Sequence, residues 1–130
     1  MGVAEHPVTG GIWSVENSAD NIERDEVSVK ENNPGEELNF HGYLNGTRSE
    51  NQGANFGYPQ CYAAFGVQDL PKNEGLTVGS SFAIDGAGGN DTYCAAQTEP
   101  RITFLAHQAP LDIKFNNSGN EAWISMHGSW

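Results

Sequence analysis

The stretch ENNPGEELNFHGYLNGT, residues 31–47, indicates the fold class of this chain. Its centre, Leu38-Asn39-Phe40-His41, alternates apolar and polar side chains, which is the period of a strand with one buried face. The turn-forming run Asn32-Asn33-Pro34-Gly35 stands just before it. The strand is therefore predicted to begin close to two adjacent carboxylates, Glu36 and Glu37. The reason for that placement lies outside this stretch.

The same signal recurs elsewhere, since short segments rich in aromatic and β-branched residues lie at 12–15, 102–105, 111–115 and 123–126. No window of helical length has a 3.6-residue period. A strand, a Gly turn and a Trp-containing strand occur both at 3–18 and at 111–129, which fits two propeller blades as well as two unrelated hairpins. The chain is predicted to be all-β, with long loops at 19–37 and about 66–100 that carry little core material.

Length and charge limit the function of the chain. At 130 residues it is at most one domain, and 17 acidic against 6 basic residues give a net charge of -11. That charge opposes binding to nucleic acid or to anionic membranes, because both require a basic face. No apolar run approaches the roughly 20 residues of a membrane span. The amino terminus has neither the basic cluster nor the apolar core of a signal peptide.

The two cysteines, Cys61 and Cys94, allow two interpretations. In a cytosolic protein they would be free buried thiols. Three Asn-x-Ser/Thr sequons, at Asn45, Asn90 and Asn116, favour instead a secreted glycoprotein with one disulfide. We therefore predict that Cys61 and Cys94 are bonded and that the three sequons are glycosylated.

Few residues indicate chemistry by themselves. The acidic loop between Asp20 and Glu31 invites a calcium interpretation, but it lacks the EF-hand spacing and is more typical of a solvated loop. The glycine run at 86–89 is expected to be a flexible loop, because no helix pattern follows it. The four histidines have no zinc spacing. His107 and His127 are the better candidates for a site, since each ends a predicted strand beside small residues.

Five short motifs occur in order: GGIWSVENSAD at 10–20, GEELN at 35–39, NFGYP at 55–59, HQAPL at 107–111 and HGSW at 127–130. Together they resemble the fungal PQQ-dependent pyranose dehydrogenases, often labelled L-sorbosone dehydrogenase-like, which are distant relatives of the bacterial soluble glucose dehydrogenases. The similarity covers essentially the whole chain. It implies that residues 1–130 are part of one β-propeller domain, about two of its six blades, and an internal piece of a longer protein.

The resemblance also implies a site. Enzymes of this family hold PQQ and Ca²⁺ on the propeller axis and remove a hydride from C1 of a pyranose, with calcium as a Lewis acid that polarises the quinone. Carried over, the backbone carbonyls of Ser18 and Ala19 would bind the calcium, with the Glu36 carboxylate behind them. His107 would lie on the loop that contacts PQQ, and His127 at the inner strand end of the next blade. The catalytic base is unassigned, with His107 and His127 as candidates.

The implied partners are a pyranose substrate and an external electron acceptor, for which a haem domain of the parent protein is a candidate. The implied location is extracellular. Two other classes stay open: a non-catalytic secreted β-module that binds carbohydrate, and a small stand-alone calcium-binding β protein. The chain by itself is expected not to oxidise sugars, because two blades lack the rest of the cofactor site.

Overall fold

A computed structural model describes residues 1–128, so Ser129 and Trp130 of the last motif lie outside the described residues. The elements in chain order are β1 Gly2–Glu5, β2 Gly11–Glu16, β3 Glu23–Arg24, β4 Val27–Ser28, β5 Glu36–Tyr43, β6 Cys61–Ala63, a 3-10 turn Val67–Asp69, β7 Ser81–Ala83, α1 Asp91–Cys94, β8 Ile102–Phe104, β9 Pro110–Phe115 and β10 Ala122–Met126. The all-β prediction is confirmed, since α1 is a single turn. No helix in the described part of the chain has the length and apolar character needed to cross a membrane.

Four antiparallel strands form the main sheet, in the order β1-β2-β5-β8. The alternation of apolar and polar side chains in β2 and β5 determines which face of the sheet is apolar. Val15 of β2 pairs with Leu38 of β5, and both pack against Ile113 of β9 in one buried cluster. The opposite face carries polar side chains of the same two strands, described below. The sheet therefore presents an apolar face to the β9–β10 hairpin.

The two similar units of the sequence are the hairpins β1–β2 and β9–β10, and they pack directly on each other. Gly2 permits this approach, because a Cβ there would lie 2.4 Å from the Cα of Asp112. The two turns are also joined, since Nε2 of His6 donates to the carbonyl of Gly119 at 2.9 Å while its Nδ1 accepts the N–H of Thr9 at 3.1 Å. His6 therefore has a structural role.

The expectation that the two long loops carry little core material was wrong. Ile22 and Val29 of the first loop pack with Leu70 and Phe82 of the second in a separate buried cluster, which also contains Tyr62 and Ala64. Single apolar residues without a period build this core because hydrogen bonds join the two loops, among them those from the N–H of Asp85 to the carbonyl of Glu23 at 2.9 Å and from the N–H of Gly66 to the carbonyl of Asn32 at 3.0 Å. The glycine run at 86–89 is followed by α1, whose first turn is capped by the side chain of Asn90.

Two strong links hold this second cluster together. The predicted disulfide between Cys61 and Cys94 is confirmed, with Cα atoms 5.5 Å apart. Arg24 is 4% exposed and donates to both carboxylate oxygens of Asp91, at 2.7 and 2.8 Å. It also donates to three backbone carbonyls, those of Pro71, Lys72 and Ala83. The disulfide therefore joins β6 to α1, and the buried guanidinium of Arg24 joins the first loop to the second.

The three sequons lie in turns or at a helix start. Asn45 and Asn90 are exposed, and Asn45 accepts the N–H of Thr47 at 3.0 Å while Asn90 accepts that of Tyr93 at 2.8 Å. Asn116 is half-buried in the β9–β10 turn, where its Nδ2 donates to two side chains of the same turn. Their glycosylation stays a prediction.

Candidate functional site

A buried carboxylate joins two loops at one end of the strands. Glu36, the first residue of β5, is 2% exposed. Its Oε2 accepts the N–H of Ser18 at 2.6 Å, and its Oε1 accepts the N–H of Ala109 at 3.0 Å. The segment after β2 and the segment before β9 are thus bound to the same side chain. Because both of its oxygens are engaged by backbone donors, Glu36 acts as a clamp between them.

A third segment joins this arrangement after β10. The N–H of His127 donates to the carbonyl of Ala109 at 3.0 Å, and that of Gly128 donates to the carbonyl of Gln108 at 2.9 Å. The segments around Ser18, His107 and His127 therefore lie side by side at the same end of their strands. A single cofactor site built from these three segments would require them to lie at the same end of their strands.

The carbonyls of Ser18 and Ala19 have the chemistry that a hard cation needs. Within residues 1–128 neither carbonyl oxygen accepts a hydrogen bond. No group of three or more His, Cys, Asp or Glu side chains in that range could hold a metal ion. A calcium ion takes carbonyl oxygens readily, so the two adjacent carbonyls fit it as part of a larger ligand set.

His107 faces the acidic loop. Its backbone φ is +65°, a left-handed conformation that turns the chain sharply before Ala109. The Nδ1 atom lies 3.3 Å from a carboxylate oxygen of Asp20, and Nε2 donates to the carbonyl of Lys30. Both contacts are to the segment that begins at Ser18. The ring therefore holds this loop against the 107–109 segment, and its contact with PQQ stays a prediction.

The other histidines differ in their surroundings. His127 is exposed, its Nδ1 lies 2.8 Å from the carbonyl oxygen of Gly128, and its Nε2 has no hydrogen-bond partner among the described residues. His41 lies away from the three segments, where its Nε2 is 2.7 Å from the Oγ of Ser14. Of the two candidates for the base, His127 is the one with an open ring nitrogen.

Comparison with known proteins identifies the family of the chain. A family model described as TrAA12-like matches residues 1–130. The chain belongs to the TrAA12-like family. It is 52% identical over 132 residues to a pyrroloquinoline quinone-dependent sugar dehydrogenase of Hypocrea jecorina strain QM6a, a match that covers 99% of the chain and 30% of that protein. It is 34% identical to a pyrroloquinoline quinone-dependent pyranose dehydrogenase of Coprinopsis cinerea, over 93% of the chain and 17% of that protein.

Solved structures of TrAA12-like relatives have the same fold. An iodide structure of the Trichoderma reesei family AA12 enzyme superposes with a TM-score of 0.91 and 51% identity, covering 99% of this chain and 33% of that one. The holo form of the pyranose dehydrogenase PQQ domain from Coprinopsis cinerea gives a TM-score of 0.82 and 32% identity, covering 99% and 32%. The resemblance seen in the motifs is confirmed, and the chain spans about a third of these structures.

The TrAA12-like chain has a row of buried polar residues that the sequence reasoning missed. Asn39 is fully buried, and its Nδ2 donates to Glu16 Oε1 at 3.2 Å and to Glu37 Oε2 at 2.9 Å. Ser14 Oγ donates to the same oxygen of Glu16 at 2.9 Å. These residues share the sheet face opposite Glu36, because Ser14 pairs with Asn39 and Glu16 with Glu37. The i, i+2 spacing of polar residues in both strands was the available signal.

Burial has a marked effect on one member of this row. It raises the pKa of Glu37 from 4.5 to about 7, against the opposing effect of the hydrogen bond from Asn39. The neighbouring carboxylates of Glu16 and Glu36 raise it further. Glu37 therefore binds a proton far more readily than an exposed glutamate does. The two adjacent carboxylates at the start of β5 thus have different roles on different faces.

Proposed function

We propose that this chain is part of a quinoprotein oxidoreductase that oxidises pyranose sugars at C1 with PQQ and Ca²⁺. The observation that carries the proposal is the clamp at Glu36, which joins the Ser18 segment to the 107–109 segment. The support from relatives is that they are PQQ-dependent sugar or pyranose dehydrogenases, one of them a holo PQQ domain. Activity would belong to the complete protein, of which this chain is about a third.

The carbonyl oxygens of Ser18 and Ala19 would hold the calcium ion, and the quinone would supply the acceptor for the hydride from C1. The contribution of this chain is to fix those oxygens in place. Glu36 holds the N–H of Ser18 at 2.6 Å and so restricts the peptide groups on either side of it. A ligand set fixed before binding loses less entropy when the ion arrives.

The proton of the sugar hydroxyl needs a base. His127 suits that role because it is exposed and its Nε2 is open within the described part of the chain. His107 suits a supporting role, since both ring nitrogens face acceptors of the 20–30 segment. The electrons would then pass to an external acceptor, for which a haem domain of the complete protein is the candidate.

The architecture supports a propeller. A propeller blade is a four-stranded antiparallel sheet, and β1-β2-β5-β8 is such a sheet with the β9–β10 hairpin packed on its apolar face. We infer that residues 1–130 contribute about two blades to a larger domain, with β9 and β10 belonging to the second. The disulfide between Cys61 and Cys94 supports an extracellular location, because such bonds persist in oxidising compartments.

Calcium binding tests the proposal without relying on turnover. We expect Ca²⁺ to raise the melting temperature of the complete parent protein, and Glu36→Gln to reduce that shift strongly. Glu31→Gln is the matched control, because Glu31 is an exposed carboxylate of the same loop. Dye reduction with several aldoses should require PQQ and Ca²⁺. A calcium shift that survives Glu36→Gln, or vigorous sugar oxidation by the 130-residue chain alone, would contradict the proposal.

A further inference from the structure

The three sequons differ in how the folded chain uses the amide nitrogen that would carry a glycan. An N-linked glycan replaces one of the two Nδ2 hydrogens of the asparagine. Asn116 uses both hydrogens, since its Nδ2 donates to two side chains of its own turn at 2.6 and 3.1 Å. Asn45 uses one, in a bond of 3.3 Å to the carbonyl of Thr9. The Nδ2 of Asn90 donates to no group within residues 1–128, so a glycan there costs no hydrogen bond.

The side chain of Asn90 is held in place although it is exposed. Its Oδ1 accepts the N–H of Tyr93 at 2.8 Å and so caps the first turn of α1. Because the amide is planar, fixing its oxygen also fixes its nitrogen. Thr92, which completes the sequon, is exposed, and its side chain has no hydrogen bond within the described residues. A glycan on Asn90 would therefore start from a defined position and leave the cap intact.

A pocket of about 180 Å³ lies beside this amide, and Asn90 is one of its lining residues. Asp25 and Asp85 contribute carboxylates and Lys72 an ammonium group, and all three side chains are exposed. Lys72 uses one of its three hydrogens on Asp25, at 2.6 Å, so others stay available. The segment 83–84 adds two half-buried apolar side chains. The pocket therefore offers hydrogen-bond acceptors, a donor and an apolar surface.

N-acetylglucosamine, the first sugar of an N-linked glycan, has the same mixture of groups. Its hydroxyls donate and accept hydrogen bonds, while its acetyl methyl and ring C–H groups are apolar. A free sugar would bind such an open pocket weakly, because association costs translational and rotational freedom. A sugar attached to Asn90 is already at a high effective concentration. We propose that Asn90 carries an N-linked glycan whose first N-acetylglucosamine lies in this pocket.

The docked sugar would lie against the ion pair that holds the second cluster together. Arg24 and Asp91 both line the pocket. The side chain of Asp91 is 53% exposed, so water competes for its bonds to Arg24. A sugar over the pocket displaces part of that water and adds contacts to Asp25 of the first loop and Asp85 of the second. The glycan therefore stabilises the association of the two loops. The inference rests on the extracellular location proposed above and is independent of sugar oxidation.

The test uses the complete parent protein, secreted from yeast and trimmed with endoglycosidase H, which leaves one N-acetylglucosamine on each occupied asparagine. The same protein from a disulfide-forming bacterial strain lacks glycans and is the reference. In the yeast protein we expect the peptide that contains Asn90 to be heavier by one N-acetylglucosamine. Thr92→Ala removes the sequon and keeps the cap. It should lower the melting temperature of the yeast protein by about 2 °C or more and leave that of the bacterial protein unchanged.

Two further changes locate the effect. Thr47→Ala removes the Asn45 sequon through a matched exposed threonine and should leave the melting temperature of the yeast protein unchanged. Lys72→Ala should reduce the effect of Thr92→Ala in the yeast protein by roughly half or more. The bacterial Lys72→Ala protein corrects for the lost bond to Asp25.

The outcomes separate the modification from the docking. An Asn90 peptide without sugar would overturn the site. A Thr92→Ala change that lowers the melting temperature of both proteins equally, or of neither, would overturn the docked position. An equal fall with Thr47→Ala would show a general effect of glycans and would overturn the docked position as well.

Discussion

Glu36 and Glu37 are adjacent in β5, and we expect the same substitution to have opposite effects at the two positions. Glu37→Gln removes a charge that burial disfavours, and the amide oxygen of glutamine still accepts the hydrogen bond from Asn39. Glu36→Gln removes a charge that two backbone N–H groups stabilise, those of Ser18 and Ala109. One carboxylate is therefore expected to destabilise the fold at alkaline pH, and the other to stabilise it.

The magnitude at Glu37 follows from its pKa. The shift from 4.5 to about 7 corresponds, at about 1.4 kcal/mol per pKa unit, to about 3 kcal/mol. Because the pKa of Glu37 is raised in the folded state, its contribution to the free energy of unfolding is fully present below pH 4.5. That contribution is lost as the pH rises through about 7. Glu37→Gln should thus change the free energy of unfolding little near pH 4.5 and increase it by up to about 3 kcal/mol near pH 8.

The magnitude at Glu36 follows from its hydrogen bonds. A glutamine has one acceptor oxygen for two backbone donors, so one N–H of the buried pair would face an NH₂ group. A lost charge-assisted bond, or a buried donor left without its acceptor, costs about 1.5 to 3 kcal/mol. Glu36→Gln should therefore lower the free energy of unfolding by about 1.5 to 3 kcal/mol near pH 8.

Urea unfolding of the 130-residue chain and both variants, at about pH 4.5 and about pH 8, measures these effects. The diagnostic result is a difference of sign at the higher pH. The two variants share chain position, residue type and chemical change, so each serves as the control for the other. A Glu37→Gln variant that is destabilised at pH 8 as much as Glu36→Gln would refute the assignment of the two carboxylates to different roles.

Three further changes test the rest of the fold. The double change Cys61→Ser and Cys94→Ser should lower the free energy of unfolding by about 3 to 4 kcal/mol. The reference is the wild type, unfolded with and without reductant. Asp91→Asn should cost about 2 kcal/mol in urea unfolding because it weakens the charged bonds to buried Arg24, and an unchanged midpoint would contradict this. Gly2→Ala should cost about 1 to 3 kcal/mol in the same assay, because the added carbon meets backbone of β9.

The sequence predicts the strands β2, β5, β8, β9 and β10, and it misses the short strands β3, β4, β6 and β7. The alternation in β2, β5, β9 and β10 is visible because one face of each packs into a core. The strands β3, β4, β6 and β7 are two or three residues long, so they contain no period that could be recognised. Tyr62 and Phe82 of these strands form a core with Ile22 and Val29 only after the two loops meet. That meeting involves contacts across long stretches of sequence, such as those of Arg24 with Ala83 and Asp91.

The site was predicted on one face of the sheet only. The motifs indicated Ser18, Glu36, His107 and His127, and the structure joins the backbone around all four. Asn39, by contrast, occupies the polar half of the alternation, which normally faces solvent, and yet it is fully buried. A single sequence cannot distinguish a polar face covered by a distant loop from one that water covers.

The paired carboxylates at the start of β5 now have a physical explanation. Successive residues of a strand point to opposite faces, so Glu36 and Glu37 cannot serve the same site. Glu36 lies where two backbone segments end in unpaired N–H groups, and an ionised carboxylate satisfies both. Glu37 lies opposite Glu16, where a second charge is tolerated only with a proton or a cation nearby. The two residues are neighbours because this strand end meets two loop segments on one face and the polar side chains of Glu16 and Asn39 on the other.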